Sequence, residues 1–360
     1  MDELQEAREI INRVDREMAA LFEERMHAAE KVAAYKREHA LPVKDEKREN
    51  ELIARNTAYI GDPVIAGYYT RFLRETIDLS CEYQERLMDG MRVAYAGVPG
   101  AFAYLAAKKM FPGARLFPFP DFTAAYEAVE KENYDAAVLP LENSQAGEVG
   151  TVMDLVFFRG LFVNQVCDLP VTHHLLVKPG TKKEEITTVI SHPQALEQCA
   201  ATIRKNGWKT EACENTALAG QLTAASERRD LAAIASEETA RFFNLSVLES
   251  GINDNKNNTT RFAAFSRSRQ QPAGSKNNNF ILVFTVKNEA GALARTLNII
   301  GAHGYNLRSL RSRPMKDPAW NFYFYLEAEG SAAGENGRDL LRELSAVCDR
   351  LKLVGEYEER

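Results

Sequence analysis

The feature that most constrains this chain is its opening run, which from Leu4 to Glu38 contains no Gly or Pro and meets its first proline at Pro42. Within it Ala7, Ile11, Val14, Met18, Leu21, Arg25, Ala28, Val32 and Tyr35 recur at spacings of three and four. That period predicts one long helix with an apolar seam. At the α-helical rise, residues 4 to 38 would span roughly 50 Å, too far to be buried by a short domain of their own, so a partner helix is required. A second copy of the chain is the simplest source. Arg25 interrupts the seam, and Lys36, eleven residues on, lies about 20° away around the helix, so the two cations share a face three turns apart. Arg8 projects about a quarter-turn or more off that face.

Pro42 ends the run, and Asp45 opens a second helix with Asp45, Arg48, Glu49 and Leu52 on one face. Asp62-Pro63 reads as an N-cap followed by proline at the first helical position, starting a third helix to about Met88 with Ser80 and Gln84 one turn apart. Taken singly, these polar residues fit a solvated face with helix-stabilising ion pairs. An arginine within an apolar seam does not.

Together Arg8, Arg25, Lys36, Asp45, Arg48, Glu49, Ser80 and Gln84 resemble, in type and spacing, the active-site set of the all-helical chorismate mutases. The resemblance implies an intertwined dimer in which Arg8 completes the partner's site. Chorismate to prephenate is an intramolecular rearrangement that needs a clamp and charge at the breaking ether oxygen, and no nucleophile. Arg8 and Arg25 suit the two carboxylates, Lys36 and Gln84 the ether oxygen, and Glu49 the ring hydroxyl, with Asp45, Arg48 and Ser80 in support.

The 360 residues leave room for two or three domains, and a net charge of -6 argues against general nucleic-acid binding. No apolar run reaches membrane-spanning length and the acidic Met1-Asp2-Glu3 start is unlike a signal peptide, so a cytoplasmic protein is expected, without membrane partners. Five scattered cysteines, Cys81, Cys167, Cys199, Cys213 and Cys348, form no zinc-type spacing or disulfide framework and are expected to be reduced. No metal is expected.

After Met88-Asp89-Gly90 short apolar strands alternate with helices. Strands are predicted at Arg92 to Ala96, at Ala136 to Leu139, near Leu161 and His174, and at Thr188 to Ser191. The run Glu142 to Gly147 is expected to be a loop, and Ser191-His192-Pro193-Gln194 to open a helix. Polar runs thus fall where strands hand over to helices, the place where open α/β sheets bind ligands. The Gly97 to Gly100 loop lacks the residues of either nucleotide-binding pattern. Further on, Asn258-Thr259-Thr260-Arg261-Phe262 enters a β-prone run and joins an amide, two hydroxyls and a guanidinium. Arg261 offers a planar fork for a carboxylate and the threonines can donate to a leaving hydroxyl. On its own the segment fits a strand cap equally.

These runs resemble prephenate dehydratase: Val98-Pro99-Gly100, Leu139-Pro140-Leu141-Glu142-Asn143-Ser144 with Gly147, His173 before Leu175-Leu176, Ser191-His192-Pro193-Gln194-Ala195-Leu196, and Thr259-Thr260-Arg261-Phe262. The resemblance covers residues 92 to 266. It implies two α/β lobes like those of periplasmic solute-binding proteins, a required threonine at Thr260, and a prephenate site drawn from Glu142, Asn143, Ser144, His173, Ser191, Gln194, Asn258, Thr259, Thr260 and Arg261. Prephenate loses carbon dioxide and water, chemistry that needs a donor at the ring hydroxyl and no cofactor. Threonine is a weak acid, so Glu142 or His173 is open as the donor behind it, or as a loop stabiliser.

Residues 267 to 279 are polar and are expected to be a linker. Beyond them Phe280 to Val286, a helix from Gly291, Asn306 to Arg313, Trp320 to Glu327, a helix Asn336 to Val347 and Lys352 to Glu356 give the order βαββαβ, a ferredoxin-like α+β domain. Gly291-Ala292-Leu293 and Ser312-Arg313-Pro314 resemble the ACT regulatory domain, which implies phenaylalanine bound between paired copies. Ala290 replaces the usual proline and Arg311 the usual glutamate, so phenylalanine inhibition is expected to be weakened.

The whole is therefore expected to be a multidomain protein: a chorismate mutase domain (1 to 90), a prephenate dehydratase domain (91 to 266), the linker, and an ACT domain (280 to 360). A homodimer through the N-terminal helices is expected, with a tetramer left open. The rival readings are an arogenate dehydratase and a non-catalytic amino-acid sensor.

Overall fold

The computed structural model describes residues 2–270, 278–315 and 321–358. The chain divides into two compact units, Met1–Met91 and Arg92–Arg360.

The first unit is α1 (Glu3–Glu38), α2 (Glu46–Thr57) and α3 (Pro63–Asp89). Each starts on an aspartate: Asp2, Asp45 and Asp62 accept backbone N–H groups of the first turn, which satisfies donors a helix leaves open. Pro63 sits where its missing N–H costs nothing. Of the 36 residues of α1 only Ala29 and Ala33 are buried, while Leu4, Ile11, Val14, Met18 and Leu21 are exposed. The amino-terminal half of the seam is thus left uncovered within one chain.

The second unit begins with β1 (Arg92–Ala96), α4 (Phe102–Met110), β2 (Arg115–Phe119), α5 (Phe122–Glu130), β3 (Ala136–Asn143), β4 (Gly147–Glu148), α6 (Gly150–Phe158) and β5 (Phe162–Pro170). A second lobe follows with β6 (His174–Val177), β7 (Thr188–Ser191), α7 (Pro193–Gln198), α8 (Ala200–Asn206), β8 (Lys209–Ala212), α9 (Thr216–Ala225), β9 (Leu231–Ala235), α10 (Glu237–Phe242) and β10 (Ser246–Glu249). The chain returns to the first lobe through β11 (Thr259–Ser266). Sheet order is β5-β11-β3-β1-β2 in the first lobe and β10-β6-β9-β7-β8 in the second. The Gly100 carbonyl accepts from the Ser236 and Thr239 hydroxyls, tying the lobes together, and a side chain at Gly100 would press on Thr239.

Expectation and structure part at β3. The strand runs on past Pro140 to Asn143, so Glu142 and Asn143 are strand residues, paired with Glu148 and Gly147 of β4. A register shift against β11 between Arg261 and Phe262 falls opposite Pro140 to Glu142, and a bulge is where a strand tolerates a residue without an N–H.

The last module is β12 (Asn278–Thr285), α11 (Ala292–Ala302), β13 (Leu307–Pro314), β14 (Phe322–Glu329), α12 (Glu335–Val347) and β15 (Arg350–Glu358), in the sheet order β13-β14-β12-β15 of a ferredoxin-like fold. Asn278 and Asn279 are buried in β12 and not part of a linker, because that strand is paired on both sides. Linker residues 271–277, and Trp320 at the expected start of β14, lie outside the described residues.

This module shares a sheet with the first lobe. Gly355 of β15 pairs in parallel with Val163 of β5, and a Cβ at Gly355 would overlap the Val163 carbonyl. Alternation along the strands divides the side chains: Phe280, Leu282 and Phe284 face the core shared with Ile300, Leu340 and Leu344, whereas Ile281, Val283, Tyr323 and Tyr325 join Phe157, Val163 and Phe265 of the first lobe. Among the described residues, no helix is long and apolar enough to cross a membrane.

Candidate active sites

In the helical unit, Arg25, Lys36, Asp45, Arg48, Glu49, Ser80 and Gln84 all line one cavity of about 130 Å³, with Val32, Leu52, Ile77 and Cys81 as apolar wall. The Arg25 guanidinium donates to the Ser80 hydroxyl and, at 3.2 Å, to the Thr76 carbonyl. Lys36 Nζ donates to the Val43 carbonyl at 2.5 Å. Gln84 Nε2 donates to the Ser80 carbonyl at 3.1 Å, and its buried Oε1 has no protein partner. Cys81, an unpredicted neighbour, places its sulfur 3.8 Å from Glu49 Oε1. Arg8 is not in this cavity. Seventeen residues of α1 separate it from Arg25, about 26 Å along a helix axis, so it cannot reach its own chain's site.

The second unit holds a cleft of about 530 Å³ between its two lobes. Thr260 and Phe262 of β11 face it, and strand alternation turns Thr259 and Arg261 away. Asn143 Oδ1 accepts from the backbone N–H groups of Gln145 and Ala146, both at 3.0 Å, which fixes the amide's orientation. Asn143 Nδ2 then donates to Thr260 Oγ1 at 2.9 Å and to Asn258 Oδ1 at 2.7 Å. With one lone pair so engaged, the Thr260 O–H is free to point into the cleft.

The starts of α4, α5, α7 and α9 also reach the cleft, through Phe102, Phe122, Gln194 and Thr216, each following the carboxyl end of a strand. The first turn of α4 has no side-chain cap and offers its amides to a cavity that, among the described residues, no Lys or Arg lines, while α5, α7 and α9 are each capped, by Asp121, His192 and Asn215. Phe102, Phe122, Pro140, Val149, Val171 and Phe262 make the remaining wall largely apolar. The sequence reading missed Asp121 and Asn215 here. Both are N-caps, accepting from Ala124 and Leu218, and a capping residue directly before an apolar helical run was the signal available.

Of the other expected residues, His173 and Gln194 line the cleft and the rest do not. Ser191 is fully buried and donates to the Ile234 carbonyl. Ser144 Oγ accepts from the Thr259 N–H at 3.0 Å, which closes the loop in the manner of a strand cap. Asn258 is buried behind Asn143. The Arg261 fork does hold a carboxylate, but that of Asp168, at 2.9 and 3.3 Å, with Glu142 and Glu327 at 3.5 and 3.4 Å from Nη1. Glu142 points the same way and is also bonded by Arg311, so it offers no proton to the cleft. Burial pushes the His173 imidazole down to about 4. It is neutral at pH 7, with Nε2 3.0 Å from Gln198 Oε1, and a neutral imidazole so placed is a poor acid.

Residues 7–85 match the family model of type II chorismate mutases, residues 93–270 that of prephenate dehydratase, and residues 280–346 that of the ACT domain. A bifunctional chorismate mutase/prephenate dehydratase of Aquifex aeolicus (strain VF5) is 30% identical over 362 residues, covering 99% of this chain and 98% of the relative. This chain belongs to that bifunctional family. It is an enzyme with a chorismate mutase domain and a prephenate dehydratase domain, followed by an ACT domain. An arogenate dehydratase/prephenate dehydratase 2 of Arabidopsis thaliana is 35% identical over 276 residues, 74% of this chain and 72% of the relative. The structure of a prephenate dehydratase from Arthrobacter aurescens in complex with L-Phe is 25% identical, with a TM-score of 0.69 over 74% of this chain and 90% of that one.

In the ACT domain, Gly291 takes the left-handed conformation, φ 80°, as N-cap of α11, followed by buried Ala292 and by Leu293. Ser312 and Arg313 lie on β13, but the Arg313 guanidinium binds Glu148 and Asp154 of the dehydratase domain. In this arrangement it is not directed at an effector.

Proposed function

We propose that the cavity of the helical unit rearranges chorismate to prephenate and that the two-lobed cleft converts prephenate to phenylpyruvate, with Thr260 as donor to the departing ring hydroxyl. The observation that carries this reading is the Asn143 amide, which engages one lone pair of Thr260 and leaves its proton for the cleft. A cleft that no Lys or Arg lines among the described residues also suits the chemistry. A cation beside the ring carboxylate would stabilise the state that has to lose carbon dioxide, whereas helix amides can hold the side-chain carboxylate that remains.

In the mutase site, Lys36 and the second N–H of Gln84 would bind the ether oxygen, Arg25 a carboxylate and Glu49 the ring hydroxyl, with Asp45, Arg48 and Ser80 holding the shell in place. The uncovered apolar face of α1 supports a homodimer, with Arg8 of one protomer completing its partner's site. Phenylalanine is proposed as the ACT-domain effector, bound near Gly291, Ala292, Leu293 and Ser312. All five cysteines are free, in keeping with a reducing cytoplasm.

A second reading is arogenate as the dehydratase substrate, which Asp121 and Glu214 on the cleft wall favour because arogenate carries an ammonium. Comparing kcat/KM for prephenate and arogenate decides between them. A higher value for prephenate supports the first reading and a higher value for arogenate overturns it.

A further inference from the structure

The β3–β4 hairpin that carries Asn143 is a weak element by itself, since β4 is only Gly147–Glu148 and pairs with two residues of β3. So short a ladder does little to fix its own position. On one edge β3 pairs with β11 and Ser144 ties the loop to Thr259, and the ACT domain grips the hairpin's charged face. Glu142 and Glu148 are cross-strand partners on it, and Arg311 and Arg313, two apart on β13, bind one carboxylate each. Arg313 Nη1 lies 2.6 Å from Glu148 Oε1, and its Nε and Nη2 are 3.3 Å from Asp154 Oδ1 on α6. The Tyr323 hydroxyl adds a bond to Asp154 at 2.8 Å while its ring stacks on Phe157 at 4.3 Å.

A second contact reaches the other catalytic strand. Glu327 of β14, buried and bonded by the Tyr357 hydroxyl, faces Arg261 Nη1 at 3.4 Å. Arg261 neighbours Thr260 and Glu142 neighbours Asn143, so the charged face of the β3–β11 pair belongs to the ACT contact and its opposite face to the cleft.

We propose that Arg311 and Arg313 are positioning residues of the dehydratase: by gripping Glu142 and Glu148 they seat the hairpin so that Asn143 orients the Thr260 hydroxyl. The proposal rests on the assignment of the cleft as the dehydratase site. Arg311, which in the sequence looked like damage to an effector motif, becomes in this chain one prong of a clamp. Any shift of β13 against the hairpin would then reach Thr260 through two guanidiniums and one amide.

The test measures dehydratase kcat and KM for prephenate in the full chain carrying Arg311→Gln, Glu142→Gln, both together, or Arg311→Lys, with mutase activity of the same preparations as an internal control. Each glutamine variant is expected to lose about tenfold or more in kcat, as misplaced catalytic groups do. KM should change less than twofold, mutase turnover should be retained, the double variant should be no worse than the poorer single, and Arg311→Lys should keep more activity than Arg311→Gln. Wild-type kcat in Arg311→Gln, a double loss equal to the product of the single losses, or equal losses in the Lys and Gln variants would overturn the clamp. An unmodified protein that left prephenate unchanged would instead overturn the assignment of the cleft.

Discussion

Asn143 and Thr260 meet across the β3–β11 pair with the amide donating and the hydroxyl accepting, at 2.9 Å. The direction of that bond follows from the two backbone N–H groups that occupy Asn143 Oδ1, and it determines what the threonine has left to give.

Asn143→Asp reverses the bond. A carboxylate accepts where the amide donated, so the Thr260 proton is drawn away from the cleft. Dehydratase kcat should fall by roughly 10² or more, the scale for losing one preorganised donor, with mutase turnover unchanged. Full activity in this variant would show that the orientation of the hydroxyl is immaterial.

Lys36→Ala should produce the opposite split. The ether oxygen loses its charged donor, which typically costs about 10² to 10³ in rate, while prephenate supplied directly is still dehydrated. Near-normal mutase turnover would remove Lys36 from the site.

Arg8→Ala and Arg25→Ala should each be inactive as mutases, and their mixed dimers should regain turnover because one hybrid site combines the intact Arg25 of one chain with the intact Arg8 of the other. Dissociating and reassociating the two proteins, then assaying chorismate loss, makes the comparison. Mixtures that stay inactive would contradict a shared site.

The buried His173 imposes a pH dependence on stability. Its folded value, about 4, lies below the ordinary 6.5, so between those limits the unfolded chain binds the extra proton. Its contribution is therefore complete above about pH 6.5 and lost as the pH falls toward 4, on the order of 3 kcal/mol in all. Melting curves from pH 7 to 4.5 should show the decline, and His173→Gln should flatten part of it. An unchanged slope would mean that His173 is not buried neutral.

How far the sequence disclosed this arrangement differs by site. In the helical unit, spacing on regular helices carried the geometry, and the seven residues from Arg25 to Gln84 that were expected in one chain's site do line one cavity. In the second unit the motifs located the cleft but could not say which side of a strand each residue faces. Thr260 and Arg261 are adjacent in sequence and opposite in direction. Pro140 looked like the end of a strand because its bulge depends on the register with β11, a long-range property. Arg311 could be judged only against a family pattern, since its partner, Glu142, is 169 residues away.

The most direct test of the account is to give chorismate to the Thr260→Ala protein and follow prephenate and phenylpyruvate together. Prephenate should accumulate at the unmodified enzyme's mutase rate and phenylpyruvate should not form. Phenylpyruvate appearing at the unmodified rate, or chorismate left unconsumed, would contradict the account.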